Sequence, residues 1–362
     1  MLLLSPVLAA TLHVPGDHAT VQAAVSAAQP GDVVQIGPGT WSGFIWPTGE
    51  LTVRGAGQGL TRLVGTGSDV VLADVGASLT LEDLTLDGQS TRRTLRLREG
   101  AVELTLRDVE LVDGHSTDSL PGGCLFVEGI TATLDGVGFE GCTSELEGGA
   151  IYAKDATLLG ITDSWFVDNT AVAGGGGAIE AWTDVVLVVA TTLFQGNRAT
   201  AGGAIEAYGG GQVLVGTSSF IENEATWHGG AVNARHSASI RDCSFVGNAA
   251  GLDGGAVRLE LGGSATKSFF WGNRGLRGGA VAAEGGPTVV TNAHFCQNVA
   301  DDTGNAIWMG SGSRPTASNL LFVTNGDAAS QRFDVDLTGP GTLRNATFTG
   351  SPATLTFGGT DV

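Results

Sequence analysis

Lysine is nearly missing from this chain: Lys154 and Lys267 are the only two among 362 residues. With 18 Lys and Arg against 37 Asp and Glu, the net charge is −19. That balance disfavours nucleic acid, anionic lipid and polyanionic polymers as partners. Charged residues make up only 15% of the chain, yet 42% of it is hydrophobic, which excludes a disordered polymer and implies a real core. The four cysteines, Cys124, Cys142, Cys243 and Cys296, show no CxxC and no metal spacing, so no metal site is expected from them. No apolar run is long enough for a membrane-spanning helix, which needs about 20 residues. Neither HExxH nor GxSxG occurs.

What the chain has instead is glycine, 58 residues of it, arranged in a repeat. Gly-Gly-Ala-(Ile/Val) recurs at Gly148, Gly176, Gly202, Gly229, Gly254 and Gly278, each time followed by Phe-x-x-Asn at Phe166, Phe194, Phe220, Phe245, Phe270 and Phe295. A worn copy, Gly304-Asn305-Ala306-Ile307 with Phe322 and Asn325, closes the series. From Phe166 to Phe322 the steps are 28, 26, 25, 25, 25 and 27 residues. Between these marks lie apolar runs of three to six residues punctuated by glycine or Asp/Asn/Thr, such as Val185–Val189. They are strands joined by turns, too short for ten-residue helices and lacking the spacing of leucine-rich repeats.

The pattern predicts an all-β chain: a single parallel β-helix of about 11–12 coils, each climbing ~4.8 Å. Stacking makes every repeat position a ladder. The phenylalanines form an interior column, each ring stabilising by about 2 kcal/mol. The Asn three residues on bonds neighbouring coils from inside a turn, and Gly-Gly supplies backbone angles that other residues resist. Leu86 and Leu111 precede Phe139 in the same column, and counting from Leu86 to Phe348 gives eleven rungs, roughly 50 Å.

These residues carry a resemblance. GGA(I/V) alternating with FxxN over residues 148–325 resembles the repeats of chlamydial-type polymorphic outer membrane proteins, and more broadly bacterial right-handed parallel β-helix proteins of the pectin-lyase-like fold, which implies a right-handed coil here. The stretch Ala19–Val25, Pro30-Gly31-Asp32-Val33-Val34 and Gly37-Pro38-Gly39-Thr40-Trp41 is similar to the N-terminal cap and first coil of that fold. Within it, Val21, Ala24, Val25 and Ala28 mark one helix over 17–29 that covers the open end of the first coil. The resemblance implies a surface or exported protein. Residues 340–362 offer one more coil and a final strand and not the eight or more strands of a membrane barrel, where the chain departs from polymorphic membrane proteins.

The domain expectation is accordingly simple: residues 1–10 read as a remnant of a secretory signal, and 11–362 as one β-helix domain. Gly55-Ala56-Gly57-Gln58-Gly59 reads as a turn, since no helix and no GK[ST] follows. The insertion Val112–Gly123, with Asp113, His115 and Asp118, could hold a cation but reads first as a solvated loop. Cys142 replaces the Asn of a worn Phe-x-x-Asn and Cys124 the Ala of a worn Gly-Gly-Ala. They are either small core residues or a bridge within one coil, whereas Cys243 and Cys296 lie two coils apart.

Outward positions of the Gly-Gly-Ala strands carry what is left for function. One stack runs Tyr152, Glu180, Glu206, Asn233, Arg258, Ala282, Trp308; its neighbour runs Lys154, Trp182, Tyr208, Arg235, Glu260, Glu284. Aromatics mixed with carboxylates and guanidinium groups suit sugar rings and hydroxyls, so Tyr152, Lys154, Trp182, Tyr208, Arg235 and Arg258 are the candidate ligand contacts on a flat outer stripe. Glu180 and Glu206 stand on adjacent rungs, near the spacing of a retaining glycosidase pair, and could otherwise share a proton or bind Ca²⁺. The Gly-His-Gly and Arg-Ile-Lys elements of polygalacturonases and the Arg-x-Pro-x-x-Arg of pectate lyases are absent. The leading expectation is therefore an exported or cell-surface monomer, without cofactor, that binds glycans or neighbouring surfaces. The alternative is a polysaccharide lyase or glycoside hydrolase working around Glu180 and Glu206, and a plain structural spacer would need neither.

Overall fold

The computed structural model describes residues 9–65, 67–97, 100–117, 120–326, 334–338, 340–350 and 355–357. Residues 1–8 of the expected signal remnant and Asp118 of the Val112–Gly123 insertion lie outside them. The chain is a parallel β-solenoid. One coil shows the pattern: strands Ile179–Thr183, Val186–Ala190, Leu193–Gln195 and Arg198–Ala201, after which the next coil begins at Ile205. Each strand pairs in parallel with its equivalent one coil away, as Ile179 does with Ile205, Leu187 with Val213 and Phe194 with Phe220. The outer column of the Gly-Gly-Ala face runs from Ile45 through Leu72, Arg96, Phe126 and on to Asp336 and Thr356, thirteen rungs against the eleven or twelve expected.

The interior is built as the repeat dictates. Leu86 pairs with Leu111 and Leu111 with Phe139, and from there nine phenylalanine rings stack with centroids 4.7–5.2 Å apart. The near-parallel rings follow from vertical register, not from ring preference. Beside them each ladder asparagine from Asn169 to Asn298 satisfies three neighbours, and the last, Asn325, two. Asn197 Nδ2 donates to Phe166 O at 3.0 Å and to Asn223 Oδ1 at 2.9 Å, while Asn197 Oδ1 accepts from the Asn169 backbone N–H at 3.1 Å. The ladder ends on Cys142, whose N–H donates to Asn169 Oδ1 at 3.0 Å. Cys142 is disulfide-bonded to Cys124, their Cα atoms 5.5 Å apart, and Cys243 and Cys296 are free thiols.

The two glycines of each Gly-Gly-Ala differ in purpose. Gly176 has φ +65°, the left-handed region, whereas a Cβ on Gly177 would stand 2.1 Å from the Gly203 carbonyl of the next coil. The helix spans Val21–Ala27, shorter than the 17–29 expected, with Thr20 capping it by accepting from the Ala23 N–H. Val21, Ala24 and Val25 are buried against the first coil, and Gln22 both donates to Ile45 O and accepts from Ile45 N–H, closing that open strand edge. Among the described residues no helix is long and apolar enough to cross a membrane.

Candidate functional site

The expected flat stripe is instead a roofed trough. In the first outward stack Tyr152, Glu180, Glu206, Asn233, Arg258, Ala282 and Trp308 are all buried. Over Glu180 and Glu206 the cover is the segment that leads from the Asn169 turn back to Gly176-Gly177-Ala178, which folds over the start of the sheet. Gly175 lies over the acidic pair, where a Cβ on it would stand 2.8 Å from Glu180 Oε2 and 2.7 Å from Glu206 Cγ, and Gly174 lies against Glu147, whose Cγ a Cβ would meet at 2.5 Å. Thr200 pins this roof, its N–H and Oγ1 both donating to Gly174 O, at 2.9 and 2.8 Å.

Under and beside the roof is a recess of about 170 Å³, lined among others by Glu180, Glu206, Trp182, Tyr208, Arg235 and Trp227. Adjacent strands Ile179–Thr183 and Ile205–Gly209 supply the two glutamates inward of the two aromatics. Trp182 and Tyr208 lie face to face, centroids 4.2 Å apart and planes 3° off parallel. The Arg235 guanidinium caps the stack 4.4 Å from the Tyr208 ring. Trp227 is 55% exposed. It reaches the recess because strand Glu224–His228 carries an extra residue where Ala199–Ala201 pairs with Ala225–His228, a bulge that re-aims a side chain.

The two carboxyls are unequal. Glu206 Oε1 accepts from Arg235 Nε at 3.0 Å and Oε2 from Asn233 Nδ2 at 2.7 Å. Neither oxygen of Glu180, which is 1% exposed, has a hydrogen-bond partner. Burial pushes both groups above the ordinary carboxyl range. For Glu180 the charges of Glu206 and Glu147 push further, well above 4.5. For Glu206 the bonds from Asn233 and Arg235 pull back. The geometry therefore makes the pair unequal: Glu180 is the one that holds its proton more strongly, and the donors on both oxygens of Glu206 favour its carboxylate form.

Of the residues singled out by sequence, Glu180, Glu206, Trp182, Tyr208 and Arg235 meet at this recess. Tyr152 is buried one rung away, its ring 6.4 Å from Trp182, with its hydroxyl pushed up by burial and by Glu147. Lys154 is tied to Glu128 at 2.6 Å and Asp155 at 3.2 Å. Arg258 is buried between Glu260 and Glu284, at 2.9 and 2.8 Å. Both cations are committed to protein carboxylates and lie apart from the recess lining. Sequence reasoning missed Trp227, Glu147 and the Gly174-Gly175 roof. One signal was there: six residues lie between Asn169 and Gly176, against four between Asn197 and Gly202. At the Val112–Gly123 insertion, His115 Nε2 stands 3.6 Å from Glu145, and among the described residues no group of three or more His, Cys, Asp or Glu is placed to hold a metal ion.

No protein-family model and no curated protein matches the chain. Among solved structures it is similar to the catalytic domain of a GH87 alpha-1,3-glucanase in complex with tetrasaccharides, at 11% identity over 98% of this chain and 67% of that one, TM-score 0.53. It is also similar to the A-module of mannuronan C-5 epimerase AlgE6 from Azotobacter vinelandii, at 16% identity over 93% and 91%, TM-score 0.49. A third is a mannuronic acid specific polysaccharide family 6 lyase from human gut microbiota, at 10% identity over 88% and 87%, TM-score 0.41. The glucanase likeness is one of fold: the chain is a parallel β-helix of the pectin-lyase-like kind. The likeness to polymorphic outer membrane repeats gains no support beyond its motifs.

Proposed function

We propose that the chain is an exported or surface β-helix protein that binds carbohydrate at the Trp182–Tyr208–Trp227 recess. The observation that carries this reading is the recess itself. Two stacked rings and one exposed indole form apolar walls, and Arg235 with the glutamates supplies polar atoms for hydroxyl groups. The glucanase of the same fold, solved in complex with tetrasaccharides, supports it as analogy only. The Cys124–Cys142 disulfide supports an oxidising compartment.

A glycan array followed by calorimetry on the hits tests the reading. Trp227→Ala, which removes an exposed ring and leaves the core intact, should weaken binding about tenfold or more, since a ring contact is worth about 1.5 kcal/mol. Undiminished affinity in Trp227→Ala and Tyr208→Ala would place binding elsewhere.

A further inference from the structure

We propose that the recess also hydrolyses glycosidic bonds of neutral polysaccharides with retention of configuration, Glu180 serving as acid and base and Glu206 as nucleophile. This rests on glycan binding at the same place and goes beyond it. Three observations converge. Glu180 lines the recess, is buried, and has no hydrogen-bond partner on either oxygen, so its proton is free to be given away. Glu206, one rung on, has each oxygen held by a donor, Arg235 or Asn233, which favours its carboxylate form over that of Glu180. Glu180 and Glu206 are register partners on adjacent parallel strands, and such strands lie ~4.7–4.9 Å apart, which puts the two side chains in the range of the ~5–5.5 Å carboxyl spacing of retaining enzymes.

Charge selects the substrate class. Glu147, Glu180 and Glu206 line the recess beside one guanidinium, and that guanidinium already bonds Glu206. A uronate would meet carboxylates without a free cation to neutralise it, and abstraction of a proton next to a sugar carboxylate would lack an electrophile. A neutral ring suits both the charge and the Trp182–Tyr208 face.

The chemistry balances with water alone. As the bond from C1 to the glycosidic oxygen breaks, the Glu180 carboxyl proton passes to that oxygen, and a Glu206 oxygen forms an ester to C1. The leaving sugar departs as an alcohol. The Glu180 carboxylate then takes a proton from water, the resulting hydroxide attacks C1, and the ester to Glu206 breaks. The product is a new reducing end with its original configuration, and Glu180 is protonated again.

The full chain would be assayed for new reducing ends on laminarin, dextran, mannan and xylan, with alginate and polygalacturonate as anionic controls. Turnover is expected on a neutral polymer, with Glu180→Gln and Glu206→Gln each lowering kcat by roughly 10²–10⁴-fold. Both variants should still bind the polymer, which shows that they fold. A 2-fluoro glycoside matching the hydrolysed polymer should leave a covalent sugar on the peptide containing Glu206, and azide should restore turnover to Glu180→Gln. Wild-type protein that binds a neutral glycan and releases no reducing ends would overturn hydrolysis and leave the binding proposal standing. Unsaturated products from alginate or polygalacturonate would overturn both the reaction and the substrate class. Silence in the binding and the turnover assays alike would end both proposals.

Discussion

Arg235 Nε donates to Glu206 Oε1 at 3.0 Å, joining a side chain that is about a third exposed to one that is 2% exposed. Removing the cation strands a buried charge, which typically costs 3–5 kcal/mol, and the partial exposure of Arg235 lowers that toward the bottom of the range. Arg235→Leu should therefore destabilise by about 2–3 kcal/mol in urea unfolding near neutral pH. Adding Glu206→Gln should recover more than half of the loss, because the stranded charge goes with it. A double variant no more stable than Arg235→Leu would mean that Glu206 is not held as a carboxylate.

Glu180 gives a pH dependence of the opposite sense to a salt-bridged acid. Its folded form keeps its proton well above the 4.5 at which a free glutamate loses it. Between those values the folded state binds more protons than the unfolded one, so stability falls as pH rises. Glu180→Gln abolishes this contribution. Melting temperatures of the two proteins should agree at about pH 4 and separate in favour of Glu180→Gln as pH rises through about 4.5 towards 8. A gap that stays constant across that range would refute the buried protonated acid.

How much of this was readable in the sequence divides by face. Interior positions repeat because each must match the identical position above and below, so Phe, Asn and Gly-Gly announce themselves and fix the period. The period then places Glu180 beside Glu206 and Trp182 beside Tyr208. Outward positions resemble one another in nothing, and the connecting segments differ in length, so no ladder predicts which segment folds over the sheet. The roof of Gly174 and Gly175 over the glutamates and the bulge that brings the exposed Trp227 to the recess both arise from those unequal connections.

The asparagine ladder offers a test of the interior. Asn248 Nδ2 donates to Phe220 O at 3.0 Å and to Asn273 Oδ1 at 3.0 Å, and its Oδ1 accepts from the Asn223 backbone N–H and Nδ2 at 3.0 and 2.9 Å. Asn248→Ala leaves several buried polar groups unpaired at once, at about 1–3 kcal/mol each where water cannot enter. A loss on the order of 3 kcal/mol in denaturant unfolding is expected. Asn345→Gly, on an exposed asparagine pair with Asn319 and at φ +52°, a backbone angle glycine adopts freely, should cost little by comparison. Equal losses in the two variants would show that the buried ladder is not what holds the coils in register.

Gly175 links the roof to the site. Its φ lies outside the left-handed region, so alanine is allowed by the backbone, but the new methyl would press on Glu180 Oε2 at 2.8 Å and Glu206 Cγ at 2.7 Å. Overpacking of this kind costs about 1–3 kcal/mol and is relieved by shifting either the roof or the carboxyls. Gly160→Ala is the matched control, since its Cβ would meet nothing nearer than the Ala132 carbonyl at 3.9 Å. Gly175→Ala should weaken glycan binding about tenfold, the equivalent of 1.4 kcal/mol, while Gly160→Ala binds like wild type. Titration calorimetry on one glycan for all three proteins reads this directly. If Gly175→Ala matched wild type in affinity, the sugar would have to sit away from the roofed glutamates, and only the outer aromatic face would remain as its seat.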